Sequence, residues 1–94
     1  MFEIVNDGNG TIALHGRFDA SQTDQVRSVL EQLDDSSVLD CEGLDYISSA
    51  GLGVLLGTQK RLAGSGKGLK LIRLNNHIRE IFRIAGFDQV FEIE

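Results

Sequence analysis

The chain has 94 residues, a formal net charge of −5, 41% hydrophobic and 24% charged residues, and no proline. That length and mix describe one globular domain over 1–94 with a single core, and not a disordered segment. No apolar run approaches the ~20 residues that span a bilayer, and an acidic total disfavours nucleic acid, which calls for a basic stripe with aromatic platforms.

The N-terminus, Met1-Phe2-Glu3, has no basic region and no small-residue cleavage site, so a cytoplasmic location is expected. Residues 1–48 carry ten acids against two bases, and residues 49–94 seven bases against four acids. Such a separation steers a protein partner or simply forms a solvated surface. The single cysteine, Cys41, has no partner for an internal disulfide and reads as a small core residue, with a reactive thiol as the alternative.

In chain order, Phe2 and Ile4, then Ile12 and Leu14, alternate with polar residues on either side of Asp7-Gly8-Asn9-Gly10, which predicts a β-hairpin. The second strand runs toward Phe18-Asp19-Ala20. Ser21 is read as the cap of a helix with Asp24 as its capping-box acid, and Val26, Val29, Leu30 and Leu33 share one face of that helix. Asp34-Asp35-Ser36-Ser37 breaks the period, and Val38-Leu39-Asp40-Cys41 reads as a short buried strand.

Ser48-Ser49 then opens the central helix, in which Leu52, Leu55, Leu56, Leu62 and Ala63 recur at helical spacing. Ser49 is the expected N-cap, at a helix end where free N–H groups and the helix dipole both favour a phosphate. The glycine cluster at 64–68 follows a helix and lacks Walker spacing, so it reads as a C-cap and turn. A strand at 69–74 and a helix capped by Asn75 or Asn76 come next. That helix carries Ile78, Ile81, Phe82 and Ala85 on its inner face and stops at Gly86, and Val90–Ile93 is a last strand.

The order β-β-α-β-α-β-α-β implies right-handed crossovers and a mixed sheet with the helices mainly on one face. Asp19, Asp40 and the Ser48-Ser49 turn are expected together at the C-terminal end of the parallel strands, where α/β proteins place their sites. His15 and His77 have no second ligand at close spacing, so no metal is expected. No cofactor fingerprint is present, the serines lack the G-x-S-x-G elbow, and an enzyme is not expected.

The stretch Tyr46-Ile47-Ser48-Ser49-Ala50-Gly51-Leu52-Gly53-Val54-Leu55-Leu56 resembles the signature of the STAS domain, best known from bacterial anti-sigma factor antagonists. Gly16-Arg17-Phe18-Asp19-Ala20 is similar to the family's second fingerprint, and the segment from Asn75 to Phe87 to its last helix and glycine stop. The resemblance covers essentially the whole chain. It implies a STAS-like sheet and a protein that binds an anti-sigma factor, itself a serine-protein kinase, when unphosphorylated. The kinase then modifies a serine at the start of the central helix, and a serine phosphatase resets it.

Aligned on Gly51-Leu52-Gly53, the family's acceptor serine falls on Ser49, with Ser48 the alternative. The family's preceding Asp falls on Ser48 and its second serine on Ala50. The implied partner surface comprises Asp19, Asp40, Ser48, Ser49, Ala50, Gly51, Leu52 and Gly53. Competing expectations are a STAS subunit of another signalling or lipid-transport complex, and a sensor of a nucleotide or lipid at the strand tips.

Overall fold

The computed structural model describes all 94 residues. Its strands are β1 (Glu3–Asn6), β2 (Thr11–Phe18), β3 (Ser37–Ile47), β4 (Leu69–Ile72) and β5 (Glu92–Ile93). Its helices are α1 (Thr23–Leu30), α2 (Ser49–Ala63) and α3 (Asn76–Ile84), and 3₁₀ turns lie at Ala20–Gln22 and Phe87–Gln89. The five strands lie side by side in sequence order; β1 is antiparallel to β2 and the other pairs are parallel. This is the mixed α/β sheet expected from the element order.

Period-two burial explains the layering. Ile12, Leu14 and Phe18 of β2, Leu39, Cys41, Leu44 and Ile47 of β3, and Leu69 and Leu71 of β4 point into one core. Val26 and Leu30 of α1, Leu52, Val54, Leu55 and Leu62 of α2, and Ile78 and Phe82 of α3 close it from the same side. Phe82, Phe87 and Phe91 pack with ring centroids 5.8–6.3 Å apart and seal the β5 end.

Five local expectations need correction. Strand β3 runs eleven residues, not four. Its register against β2 shifts twice, between Ala13 and His15 and between Gly16 and Arg17, and these bulges break the alternation that reveals a strand. Helix α1 is not capped by Ser21: the chain first makes the 3₁₀ turn, whose N-cap is Asp19 and whose capping-box partner is Gln22. Strand β4 ends at Ile72, because Arg73 takes a left-handed backbone with φ of 59°. Finally, Ala85 is exposed, and the last strand shrinks to Glu92–Ile93 because a 3₁₀ turn precedes it. Gly86, at φ of 77°, ends α3 as expected.

Candidate functional site

The tips of β2 and β3 meet at the partnered residues Phe18 and Ile47, and the Ser48 amide donates to the Phe18 carbonyl at 2.9 Å. That bond joins Asp19 and Ser48, the next residue on each strand, at one corner of the molecule. Asp19 is half-buried; its carboxylate accepts from the Ser21 amide at 2.9 Å, while its own amide donates to the Gln22 side chain at 2.8 Å. The turn leading into α1 is thereby rigid where it faces the start of α2.

The two serines have different roles. Ser48, with φ −89° and ψ 172°, is the N-cap of α2, and its hydroxyl accepts from the Gly51 amide at 3.2 Å. Ser49 is therefore the first helical residue rather than the cap, which moves the expected cap by one position. An extended backbone followed by a donor three residues on is what a cap requires, and only Ser48 meets both conditions. The Ser49 side chain is exposed and makes no hydrogen bond within the chain.

The small residues that follow divide in the same way. A Cβ at Gly51 would lie 2.9 Å from the Ile47 side chain and 3.1 Å from the Phe18 carbonyl, so this glycine exists for helix–sheet contact. Leu52 is 8% exposed and belongs to the core. Gly53 is different: it is exposed, and an added Cβ would meet nothing within 4 Å. Ala50 is exposed as well. The accessible corner thus comprises Asp19, Ser48, Ser49, Ala50 and Gly53, with Gly51 and Leu52 beneath it.

Asp40 is not part of this corner. It lies seven residues before the end of β3, opposite Ala13 and Ile72, at ~3.3 Å per residue roughly 20 Å from Ile47. Its side chain, 12% exposed, pairs with both nitrogens of the Arg73 guanidinium fork, Nε at 3.2 Å. The Arg73 hydrogen bond holds the Asp40 carboxyl below the usual carboxylate range against the opposing effect of burial. Asp40 therefore anchors the β4–α3 turn.

Sequence reading also missed an interaction at the strand tips. The Arg17 guanidinium lies 4.1 Å from the centre of the Tyr46 ring, and these two residues are partners in the β2–β3 register. The sole sequence signal was the Asp19-x-x-Gln22 spacing, which marks the capping box and so the true end of β2. Cys41 is buried, its thiol 3.7 Å from the Leu39 carbonyl and pushed up to about 12 by desolvation. It is a core residue and not a reactive thiol.

A family profile described as "Mlab, STAS domain" matches residues 4–93. The chain belongs to the STAS domain family. It is 38% identical over 91 residues to BtrV of Bordetella bronchiseptica, a protein named as a candidate anti-sigma factor antagonist, covering 93% of this chain and 78% of that one. It is 32% identical over 87 residues to the anti-sigma-B factor antagonist of Listeria monocytogenes, covering 88% and 76%. The Bacillus cell fate determinant SpoIIAA, solved in its phosphorylated form, superposes with a TM-score of 0.71 at 18% identity, covering 100% of this STAS chain and 91% of SpoIIAA. At that identity the likeness speaks for the fold alone. No helix of this STAS chain is long and apolar enough to cross a membrane.

Proposed function

We propose that this STAS domain, spanning the whole chain, is a phosphorylation-switched binding module in the cytoplasm that acts as an anti-sigma factor antagonist. Unphosphorylated at Ser49, it binds an anti-sigma factor that is also a serine-protein kinase; phosphorylated, it releases that partner, and a serine phosphatase resets it. It is a substrate and not a catalyst. The names of its relatives support the antagonist role. The observation that carries the switch is the division of labour between the serines: Ser48 caps the helix, and Ser49 presents an unengaged hydroxyl.

Charge explains how the switch works. A phosphate brings about −1.5 to −2 charges and strong acceptors. On Ser49 it sits at the positive end of a fifteen-residue helix, which favours a terminal negative charge by roughly 0.3–1 kcal/mol. The domain stays folded. A partner packed over Ala50 and Gly53 instead meets a new dianion beside Asp19, with a desolvation and repulsion cost of several kcal/mol, on the order of a hundredfold or more in affinity. The contact surface of this reading is Asp19, Ser48, Ser49, Ala50 and Gly53.

The test is a pull-down from lysate of the source organism with Ser49→Ala and Ser49→Asp as paired baits. Recovery of a kinase-type ATPase by the alanine bait alone is the expected result. Equal recovery of one partner by both baits contradicts the switch and promotes a scaffold in another signalling or lipid-transport complex. A melting shift with added nucleotide or lipid, and no protein partner, favours the ligand sensor.

A further inference from the structure

All three helices cover one face of the sheet, leaving the opposite face without a helix. The register aligns Val5, Ala13, Asp40 and Ile72 across four strands on that open face, with Thr11, Val38, Lys70 and Glu92 as the adjacent row. Val5 is 45% exposed, and Ala13, Val38 and Ile72 are half-buried, so apolar side chains lie without helix cover on both sides of Asp40.

Two ion clusters lie among these side chains, and each has one carboxylate too many. Lys70 is shared between Glu94 at 2.9 Å and Glu92 at 3.8 Å. Arg73 is shared between Asp40 and Glu42, the latter at 3.8 Å. The paired side chains of each cluster therefore sum to −1, with the Arg79 guanidinium also donating to the Glu94 backbone carbonyl at 3.3 Å, and Glu42 and Glu94 are exposed. Glu3, opposite His15 at the β1 edge, adds a further acid to the rim.

We propose that this helix-free sheet face is a second docking surface, separate from the Ser49 corner, for a basic amphipathic segment of a protein partner. Its apolar side chains cover Val5, Ala13, Val38 and Ile72, and its Lys or Arg side chains complete the two clusters at Glu42 and Glu94. Exposed apolar side chains interleaved with under-neutralised acids suit a partner that offers both apolar and cationic groups. Charge selects the occupant. A second copy of this chain would set two net-negative faces against each other, and nucleic acid or an anionic bilayer would be repelled in the same way.

The probe is a synthetic Leu/Lys amphipathic peptide, titrated into the ¹⁵N-labelled full chain. The proposal expects amide shifts at Val5, Ala13, Val38 and Ile72, with the exposed acids Asp34 and Asp35 serving as an internal control for indiscriminate charge attraction. Glu42→Gln with Glu94→Gln, both on exposed side chains, should weaken binding about five- to tenfold at low salt, less as salt rises. Val5→Ser should weaken it without changing that salt dependence. The proposal is overturned by shifts centred on Asp34 and Asp35 or on Ser48–Gly53, by equal affinity for an all-Lys peptide, or by an unchanged affinity in the double variant. Sheet-face shifts that grow with protein concentration alone would likewise overturn it, in favour of self-association.

Discussion

The molecule has two strand-to-helix turns of similar design and opposite character. At β3–α2, Ser48 caps the helix by accepting from Gly51; at β4–α3, Asn75 does the same from Ile78 at 2.8 Å. Asn75 also donates its side-chain amide to the Leu44 carbonyl at 3.2 Å, and Arg73 just before it is clamped to Asp40. Both Arg73 and Asn75 are thus engaged at that turn, and the strained left-handed backbone of Arg73 is held in place by the clamp. The β3–α2 turn is held only through Ser48, by its cap and by its amide bond to the Phe18 carbonyl, and beyond it Ser49, Ala50 and Gly53 are exposed. One turn is fastened into the fold, while the other is supported from beneath by Gly51 and left open above. A modification at the open turn adds charge without breaking a native contact.

The largest expected effect comes from the support under the open turn. Gly51→Val drives side-chain atoms into Ile47 and the Phe18 carbonyl and should cost about 3 kcal/mol, lowering Tm by roughly 10 °C or more in thermal melts. The caps come next. Asn75→Ala removes the cap and the Leu44 partner together and should cost about 2 kcal/mol, against about 1 kcal/mol for Ser48→Ala, measured by urea unfolding. If Ser48→Ala proved the costlier, the contrast between a fastened and an open turn would fail.

Gly53→Ala should act in the other direction. The site is open and helical, so alanine should stabilise the isolated domain by about 0.5–1 kcal/mol while weakening a partner that approaches this face closely. A destabilised variant would mean that Gly53 is held by the fold itself.

The smallest effect concerns pH. Asp40 is held below an ordinary value near 3.8 by Arg73, so its folded-state contribution is complete above that pH and is lost as pH falls below it. Wild-type stability should therefore fall more steeply below about pH 3.8 than that of Asp40→Asn, as read from chemical unfolding across that range.

Sheet order and helix faces were legible because burial leaves a periodic trace: Val26 and Leu30, or Ile78 and Phe82, lie one turn apart. Strand β3 was truncated at Cys41 because its bulges interrupt the two-residue period just where Glu42, Gly43 and Asp45 look like a loop. Ser48 and Ser49 are one residue apart, and local pattern does not decide which of two adjacent serines takes the extended backbone. Asp40 was misplaced because its partner, Arg73, lies 33 residues away, and no local spacing encodes that contact. The corner itself, Asp19 beside Ser48 and Ser49, followed from parallel adjacency of β2 and β3 and needed no side-chain detail.

The most direct test of the central claim is calorimetric titration of the partner captured by the Ser49→Ala bait, using the domain before and after phosphorylation, with the modified residue located by mass spectrometry. The account predicts phosphate on Ser49, an unchanged fold, and affinity reduced by about a hundredfold or more, equivalent to roughly 3 kcal/mol. Phosphate on Ser48, or equal affinity of the two forms, would contradict it.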